Sequence, residues 1–326
     1  MSVLALVALS ACSKAAAPSG TGAAKLKPAT FLLDYLPQGY QAPFFLALDK
    51  GFYKAQGIDL KIVPGQGSSS TVQEVAAGKF TFGMASYPVV AGAEARIGSS
   101  LIDICSFMQR PPDAIISLKK APITSISQLP GKTIGYPVGA ETVPWSAFLA
   151  AAHLDGSQIR RTGLSFSTYY AALENQKVDG LVGWGFADGA LINKVTPIAP
   201  PLLYTKAGVD MLSEVLIVTK KTRDADASLV AGFVKASIEG LNAAAKDPKG
   251  ALDAMLKYQP KTDATVGLTM LQQLPYFLHT DASAGHPYCW TAPQDVQATQ
   301  DILRKYAGLP ASVDLATLTT NEFVVE

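Results

Sequence analysis

The stretch FLLDYLPQGYQAPFFLALDKGFYKAQGIDLKIVPG, residues 31–65, decides the fold, because strand-like and helix-like patterns follow one another in it. Residues 31–34 are a short run that predicts a strand. The apolar residues between 44 and 52 then recur near helical spacing, with Gly51 and Gly57 as stop signals. Residues 58–62 alternate apolar and charged side chains, which predicts a second strand. A strand, a helix and a strand in this order predict the first unit of a parallel sheet.

Similar patterns continue through both halves of the chain. Ser70 with Gln73 and Thr71 with Glu74 fit the capping-box spacing and predict a helix start, and FTFGMAS and LIDICSF predict further strands. In the second half, TIGYPVG, GLSFS and VDGLVGW predict strands separated by helices. In both halves a predicted helix end is followed directly by a predicted strand, in AAGKFTFGMAS and in ENQKVDGLVGW. We therefore predict two α/β lobes of one architecture.

Two apolar strands followed by Lys-Lys, DAIISLKK and DMLSEVLIVTKK, stand before and after the second half. We predict that one leaves the first lobe and the other returns to it, so that the two form a hinge. After Thr222 the patterns are helical, and we expect these helices to pack on the first lobe. The expected division is residues 27–117 plus 217–326 for the first lobe and residues 118–216 for the second.

The composition describes a globular chain without a charged field. Its 326 residues are 48% apolar and 16% charged, which is enough for two α/β domains. The 27 basic and 26 acidic residues almost cancel, so no excess of positive charge indicates binding to nucleic acid or to an anionic membrane surface.

The first residues, MSVLALVALSACSK, resemble a bacterial lipoprotein signal, because a short apolar run leads to small residues and then Cys12. We expect residues 1–12 to be a signal segment and Cys12 to be the lipidated residue. The run is too short for a membrane-spanning helix, which takes ~20 residues. Residues 13–26, rich in Ala, Ser and Gly, have the composition of a flexible tether, so the only membrane contact that we expect is the lipid.

The remaining cysteines, Cys105 and Cys289, match no metal or redox motif. Two cysteines so far apart in an exported protein either pair or are both buried thiols, and we take unpaired burial as the default expectation. The nucleotide-binding glycine, serine-hydrolase and zinc-protease motifs do not occur in the sequence. His153, His279 and His286 are the only histidines; His153 is best explained as the last residue of a helix and His286 as a loop residue. We expect no metal, no cofactor and no catalysis.

Polar and aromatic residues follow the predicted strands, at the ends where open α/β sheets bind ligands. The first lobe contributes Asp34, Tyr35, Gln38, Tyr40, Ser68, Ser69, Ser70, Ser86, Tyr87, Gln109 and Arg110. The second lobe contributes Gly139, Glu141, Thr142, Trp184, Phe186 and Asp188. We expect many of these residues to face one cleft.

These candidates also have structural explanations. Asp34 suits a turn, and helix capping explains residues 68–70 at least as well as ligand contact does. Tyr87 is also explained as a partly buried aromatic residue, and Arg110 as a member of a structural ion pair. Trp184 is the hardest to explain this way, because the flanking glycines expose a flat side chain at a strand end. We predict that it stacks on a ligand.

Several motifs in linked order resemble one known family. They are APFFLALDKGFYKAQGIDLKIVPGQGSSSTVQEVAAGKFTFGMAS, ISQLPGKTIGYPVG, NQKVDGLVGW and TNEFV. The chain is similar to the substrate-binding proteins of bacterial ABC importers, in the branch of nitrate, sulfonate and taurine binders and the binder of a thiamine-precursor pyrimidine. The resemblance covers nearly all of the chain from about Lys27 onward.

This resemblance implies a type II periplasmic binding fold: two α/β lobes, a two-strand hinge and a cleft that closes on a small molecule. It implies a monomer in the periplasm or on the outer face of the cytoplasmic membrane, which delivers its ligand to a permease and its ATPase. The same fold family includes a fungal pyrimidine synthase with a cysteine-rich cluster and an essential histidine. That cluster is missing from this sequence, so we do not expect catalysis by that route, and an enzyme on the same fold is the less favoured alternative to a binding protein.

The segment LLDYLPQGYQAPF resembles the first-strand segment of pyrimidine and riboflavin-precursor binders, in which an Asp precedes an aromatic residue. On this resemblance Asp34 accepts hydrogen bonds from ring N–H groups, Tyr35 and Trp184 cover the ring faces, and Glu141 adds an acceptor. The expected ligand is a flat nitrogen heterocycle such as a thiamine-pyrimidine precursor, with a flavin next. The alternative is a sulfonate, nitrate or aromatic carboxylate held by Arg110 and the amides of residues 68–70.

Overall fold

The computed structural model describes residues 25–98, 100–138, 143–165 and 167–325. The predicted signal segment with Cys12, and the candidates Gly139, Glu141 and Thr142, lie outside these ranges. None of the helices in the described ranges has the length and hydropathy that a membrane span requires.

The strands in the described ranges are β1 (Lys27–Leu32), β2 (Ile58–Val63), β3 (Phe82–Ser86), β4 (Leu101–Ser106), β5 (Asp113–Ile116), β6 (Thr133–Pro137), β7 (Arg160–Leu164), β8 (Gly180–Trp184), β9 (Leu202–Leu203) and β10 (Glu214–Thr219). The α-helices are α1 (Ala42–Asp49), α2 (Phe52–Ala55), α3 (Ser68–Ala76), α4 (Tyr87–Ile97), α5 (Val143–Ala151), α6 (Tyr169–Glu174), α7 (Asp188–Val195), α8 (Lys220–Ala225), α9 (Ala227–Lys246), α10 (Pro248–Tyr258), α11 (Ala264–Gln273) and α12 (Pro293–Ala307).

The strands form one mixed sheet in each lobe, and the two sheets share one topology. The strand order is β2-β1-β3-β10-β4 in the first lobe and β7-β6-β8-β5-β9 in the second. In the first sheet β10 runs antiparallel to β3 and β4, and in the second β5 runs antiparallel to β8 and β9. The predicted repetition of one architecture is therefore confirmed, with β6, β7, β8, β5 and β9 equivalent to β1, β2, β3, β10 and β4.

The link between the lobes differs from the predicted hinge. The two strands predicted to form it, β5 and β10, are not paired with each other, because each is built into a different sheet. The chain crosses just before each of them, and the two crossings are hydrogen-bonded to one another. The Met108 N–H donates to the Glu214 carbonyl at 2.8 Å, and the Ser213 N–H donates to the Met108 carbonyl at 2.9 Å. By sheet membership the second lobe begins with Asp113, not at 118, and the first resumes with Glu214, not at 217.

Aromatic side chains fill the core of the first lobe between the sheet and α9. Phe31 and Phe82 contact Phe233 of α9, with ring centroids 5.2 and 3.9 Å apart. Burying each ring contributes ~1.5–3 kcal/mol. Helix α9 lies close to α1 because Gly240 has no side chain: a Cβ there would be 2.5 Å from the Pro43 carbonyl oxygen. Replacing Gly240 by Ala would push the two helices apart.

Helix α12 departs from the expectation that the C-terminal helices pack on the first lobe. Its buried residues Val296 and Leu303 share one apolar cluster with Trp145 and Phe148 of α5, in the second lobe. The helix therefore joins the two lobes on one side.

The expectation of unpaired thiols is wrong: Cys105 and Cys289 form a disulfide, with their Cα atoms 4.3 Å apart. Cys105 lies in β4, and the loop before α12 returns to the same strand, where Ser106 and Cys289 form an antiparallel bridge. The disulfide ties this loop to the end of the first sheet, next to the crossing.

Candidate functional site

A cavity of about 290 Å³ lies between the two lobes. The carboxyl ends of the parallel strands β1, β3, β6 and β8 point to it, as open α/β sheets predict for a ligand site. Among the described residues, the structure places these predicted candidates on its wall: Asp34, Tyr35, Ser68, Ser86, Trp184 and Asp188.

The carboxylate of Asp34 is buried and fixed by two neighbouring side chains. The Tyr40 hydroxyl donates to its Oδ2 at 2.7 Å, and Gln41 Nε2 donates to its Oδ1 at 2.5 Å. Gln41 is held in turn by the backbone N–H of Gln38, which donates to its Oε1 at 2.7 Å. Burial raises the pKa of Asp34, and these hydrogen bonds oppose the rise.

Tyr40 and Gln38, both predicted as ligand contacts, therefore lie behind Asp34 and do not line the cavity. Gln41 was missed by the sequence prediction, because a Gln just before an apolar helix carries no distinctive signal. Tyr35 is 42% exposed and lines the cavity.

Helix α3 begins at Ser68, so neither predicted capping box forms. The N-cap is Gly67, whose φ of 114° suits a residue without a side chain. Ser68 Oγ accepts the Ser86 N–H at 3.0 Å, which joins α3 to the end of β3 at the cavity. Thr71 donates to the Leu33 carbonyl at 2.8 Å instead of capping. The neighbouring candidates Ser69 and Ser70 do not line the cavity.

The second lobe contributes a linked pair, Trp184 and Asp188. Asp188 Oδ2 accepts the Trp184 backbone N–H at 2.7 Å, and its Oδ1 accepts the Tyr170 hydroxyl at 2.7 Å. Burial raises the pKa of Asp188, and both hydrogen bonds oppose the rise. The carboxylate lies against Gly183, where a Cβ would be 2.5 Å from Oδ2.

The indole of Trp184 is half-buried, not fully exposed as its flanking glycines suggested. It packs against Phe186, with ring centroids 6.0 Å apart and planes 18° apart, and against the edge of Tyr40 at 5.5 Å. Phe186, predicted as a ligand contact, is 1% exposed and supports Trp184 from outside the cavity.

The other first-lobe candidates do not reach the cavity. Tyr87 is buried, and its hydroxyl lies 2.6 Å from Thr319 Oγ1. Gln109 is buried and donates to the Trp290 carbonyl at 2.8 Å. Arg110 makes a structural ion pair: its Nε donates to the His279 carbonyl at 2.7 Å, and its guanidinium donates to Asp281 at 2.6 Å.

Two carboxylates on the cavity wall, Asp113 and Glu214, were missed. They are the first residues of the antiparallel strands β5 and β10, whose amino ends share an edge with the carboxyl ends of the parallel strands. Recognising these strands as antiparallel would have found both residues. Within the described residues, no Lys, Arg or His lines the cavity, and no group of His, Cys, Asp and Glu is arranged to hold a metal ion.

Some known proteins match most of the chain, and others match only a third of it. The riboflavin-binding protein RibY of Chloroflexus aurantiacus is 27% identical over 351 residues, covering 99% of this chain and 96% of that protein. A formylaminopyrimidine-binding protein of Halalkalibacterium halodurans is 21% identical over 250 residues, covering 73% and 72%. A 4-amino-5-hydroxymethyl-2-methylpyrimidine phosphate synthase of Saccharomyces cerevisiae is 35% identical, but the match covers 33% of this chain and 32% of the synthase.

Among solved structures, the periplasmic aliphatic sulphonate binding protein SsuA from Escherichia coli matches with a TM-score of 0.69. The identity is 14%, and the match covers 90% of this chain and 97% of that chain, so it shows the fold alone. The type II periplasmic binding fold implied by the sequence motifs is thereby confirmed. A family model described as NMT1/THI5 like matches residues 38–251, well over half of the chain, and the chain therefore belongs to the NMT1/THI5-like family.

Proposed function

We propose that the protein is the solute-binding component of an ABC importer and that its cleft captures a flat nitrogen heterocycle, such as a thiamine-pyrimidine precursor. One arrangement carries the proposal: the Trp184 indole lies on the same cavity wall as the carboxylates of Asp34 and Asp188. An indole stacks on an aromatic ring, and a carboxylate accepts hydrogen bonds from ring amino and N–H groups.

The two-lobed fold supports a role in transport. Ligand contacts come from both lobes, so a bound ligand stabilises the closed arrangement over the open one. The changed outer surface is then what a permease and its ATPase recognise. In this proposal the protein works as a monomer outside the cytoplasmic membrane, held there by a lipid on Cys12.

The cavity favours a small ring over the alternatives. Its volume of about 290 Å³ lies just below the ~300–1,000 Å³ that small-molecule sites span, which suits one or two rings. Riboflavin is the second candidate, because the relative that spans 99% of this chain is a riboflavin-binding protein. A sulfonate or nitrate is disfavoured, because carboxylates line the described wall and Arg110 is engaged elsewhere.

Binding is also favoured over catalysis. The relatives aligned over most of the chain are named as binding proteins, whereas the match to a synthase covers a third of it. We therefore propose capture and release without chemical change to the ligand.

The test is a thermal-shift and calorimetric titration of the chain starting at Lys25. The probes are 4-amino-5-hydroxymethyl-2-methylpyrimidine, riboflavin, an alkanesulfonate and nitrate. A ligand at about 100 times its Kd should stabilise the fold by ~2.7 kcal/mol. We expect Trp184→Ala to weaken binding of the preferred ring at least ~tenfold, because it removes the stacking surface.

Trp290→Ala is the matched control, since Trp290 stacks on His286 at 3.6 Å and does not line the cavity. Stabilisation by nitrate or sulfonate alone would refute the heterocycle assignment. Ring binding that Trp184→Ala leaves intact would refute the assigned site.

A further inference from the structure

Helix α7 connects the cavity wall to an ion pair outside the cavity. The helix begins with Asp188, whose carboxylate lies on the cavity wall, and carries Lys194 in its last turn. Lys194 Nζ donates to Asp263 Oδ2, and the two side chains form an ion pair. Asp263 is the N-cap of α11, so the pair joins the end of one helix to the start of another.

The two helices belong to different lobes. Ile192 of α7 shares one buried apolar cluster with Ile116 and Leu181 of the second sheet. Val266 and Met270 of α11 lie in the apolar cluster that contains Phe31 of the first sheet. The ion pair is therefore a contact between the lobes, in addition to the crossings and to α12.

Apolar packing accompanies this charged contact. Helix α7 lies beside α11, and its partly buried residues Ala190 and Leu191 pack on the cluster that contains Val266 and Met270. Apolar packing holds two surfaces together without fixing their register, whereas an ion pair favours one relative placement of its two side chains. The pair thus defines how α7 sits on α11.

The ion pair has a fixed acceptor and an exposed donor. Asp263 also accepts the N–H groups of Thr265 and Val266, each at 3.0 Å, so its carboxylate is already held in place at the start of α11. The Lys194 ammonium and these N–H groups lower the pKa of Asp263. The two side chains are 55% and 35% exposed, so dissolved salt screens their attraction.

We propose that the Lys194–Asp263 ion pair is a clasp that holds the lobes in the arrangement the structure shows and slows the release of a bound ligand. The helix that presents Asp188 to the cavity is the one that the clasp holds, so separating the lobes moves Asp188 and breaks the pair. Release then depends on ionic strength even when the ligand is neutral. The effect on release rests on the proposed function, whereas the clasp itself is measurable without a ligand.

The first measurement uses the ligand-free chain starting at Lys25, with spin labels on Ala55→Cys and Lys177→Cys, which are exposed positions in different lobes. Cys105 and Cys289 form a disulfide, so the labels attach to the new cysteines. Double electron–electron resonance gives the distance between the lobes. Lys194→Met keeps an unbranched chain without the charge, and it should raise the population of a second distance about two- to fivefold. Wild type in ~1 M NaCl, where the Debye length is ~3 Å, should show the same change.

The second measurement is the dissociation rate of 4-amino-5-hydroxymethyl-2-methylpyrimidine, followed by stopped-flow tryptophan fluorescence. Lys194→Met should raise this rate about two- to fivefold and remove most of its dependence on salt. Lys194→Arg keeps the charge and should retain both the rate and its salt dependence. Lys249→Met is the matched control, because it breaks an ion pair with Asp253, at 2.7 Å, inside α10 of the first lobe.

The outcomes separate the two proposals. If Lys194→Met changes the distances but the pyrimidine and riboflavin do not bind, the heterocycle function fails and the clasp stands. If the pyrimidine binds and Lys194→Met leaves the distances unchanged, the clasp is wrong and the heterocycle function stands. A change in the distances without a change in the dissociation rate overturns the role in release, and so does an equal effect of Lys249→Met.

Discussion

Asp103 makes the stability of this protein depend on pH in a calculable way. The residue is fully buried in β4, where Ser106 Oγ donates to its Oδ2 at 2.6 Å and the Cys105 N–H donates to its Oδ1 at 2.9 Å. Burial raises its pKa from the ordinary 3.8 to about 7, because desolvation outweighs these two hydrogen bonds. The folded state therefore binds this proton more tightly than the unfolded state does.

The sign and the size follow from linkage. Between about pH 4 and pH 7 the folded state carries more of the proton, so this group lowers the free energy of unfolding as the pH rises. A pKa difference of about 3, at ~1.4 kcal/mol for each unit, gives a loss of about 4 kcal/mol, complete a little above pH 7. Asp103→Asn removes the titration and should abolish that loss.

The assay is urea unfolding of the wild type and Asp103→Asn at intervals from pH 4.5 to 8. The free energy of unfolding of Asp103→Asn minus that of the wild type should increase by a few kcal/mol as the pH rises across this range. Asp301→Asn is the control, because it makes the same substitution at an exposed carboxylate on α12. A difference between Asp103→Asn and the wild type that stays constant with pH would refute the reasoning.

Three further predictions concern the disulfide, the excluded arginine and the support of Asp188. Cys105→Ser combined with Cys289→Ser should lower the free energy of unfolding by up to about 5 kcal/mol, because the cysteines are 184 residues apart; unchanged urea denaturation would contradict this. Arg110→Gln should change the Kd of the ligand, measured by calorimetry, by no more than about twofold, because Arg110 does not line the cavity. A large loss of affinity would support the alternative in which Arg110 binds an anionic ligand. Gly183→Ala should weaken binding about tenfold or more, because its Cβ would displace the Asp188 carboxylate, and an unchanged Kd would show that this placement is unimportant.

The sequence patterns predicted the fold best where one face of an element is buried. Strand β2 alternates buried and exposed residues along its first half, and the predicted range 58–62 nearly equals the observed Ile58–Val63. Strand β7 was predicted at GLSFS but lies at Arg160–Leu164. It is an edge strand whose residues are mostly exposed, so burial imposes no hydrophobic pattern on it.

Features that depend on which distant segments meet were harder to predict. Nothing in their spacing along the chain shows that Cys105 and Cys289 meet, since the contact depends on the path of the loop before α12. Asp113 and Glu214 were missed for a related reason, because their place at the cavity follows from the antiparallel direction of β5 and β10. Trp184 ends the parallel strand β8 and Asp34 comes shortly after the parallel strand β1, so for these two residues local pattern and site position coincide.

The hydrogen bonds between the two crossings determine how the lobes can move. Because Met108 is bonded to both Ser213 and Glu214, we expect the crossings to bend together and the lobes to rotate about a line near these residues. In such a rotation, the displacement of a residue grows with its distance from the line. We expect Glu214, beside that line, to move little when the lobes close. We therefore expect a ligand to contact the residues beside the crossings first and to be enclosed afterwards by residues farther from them.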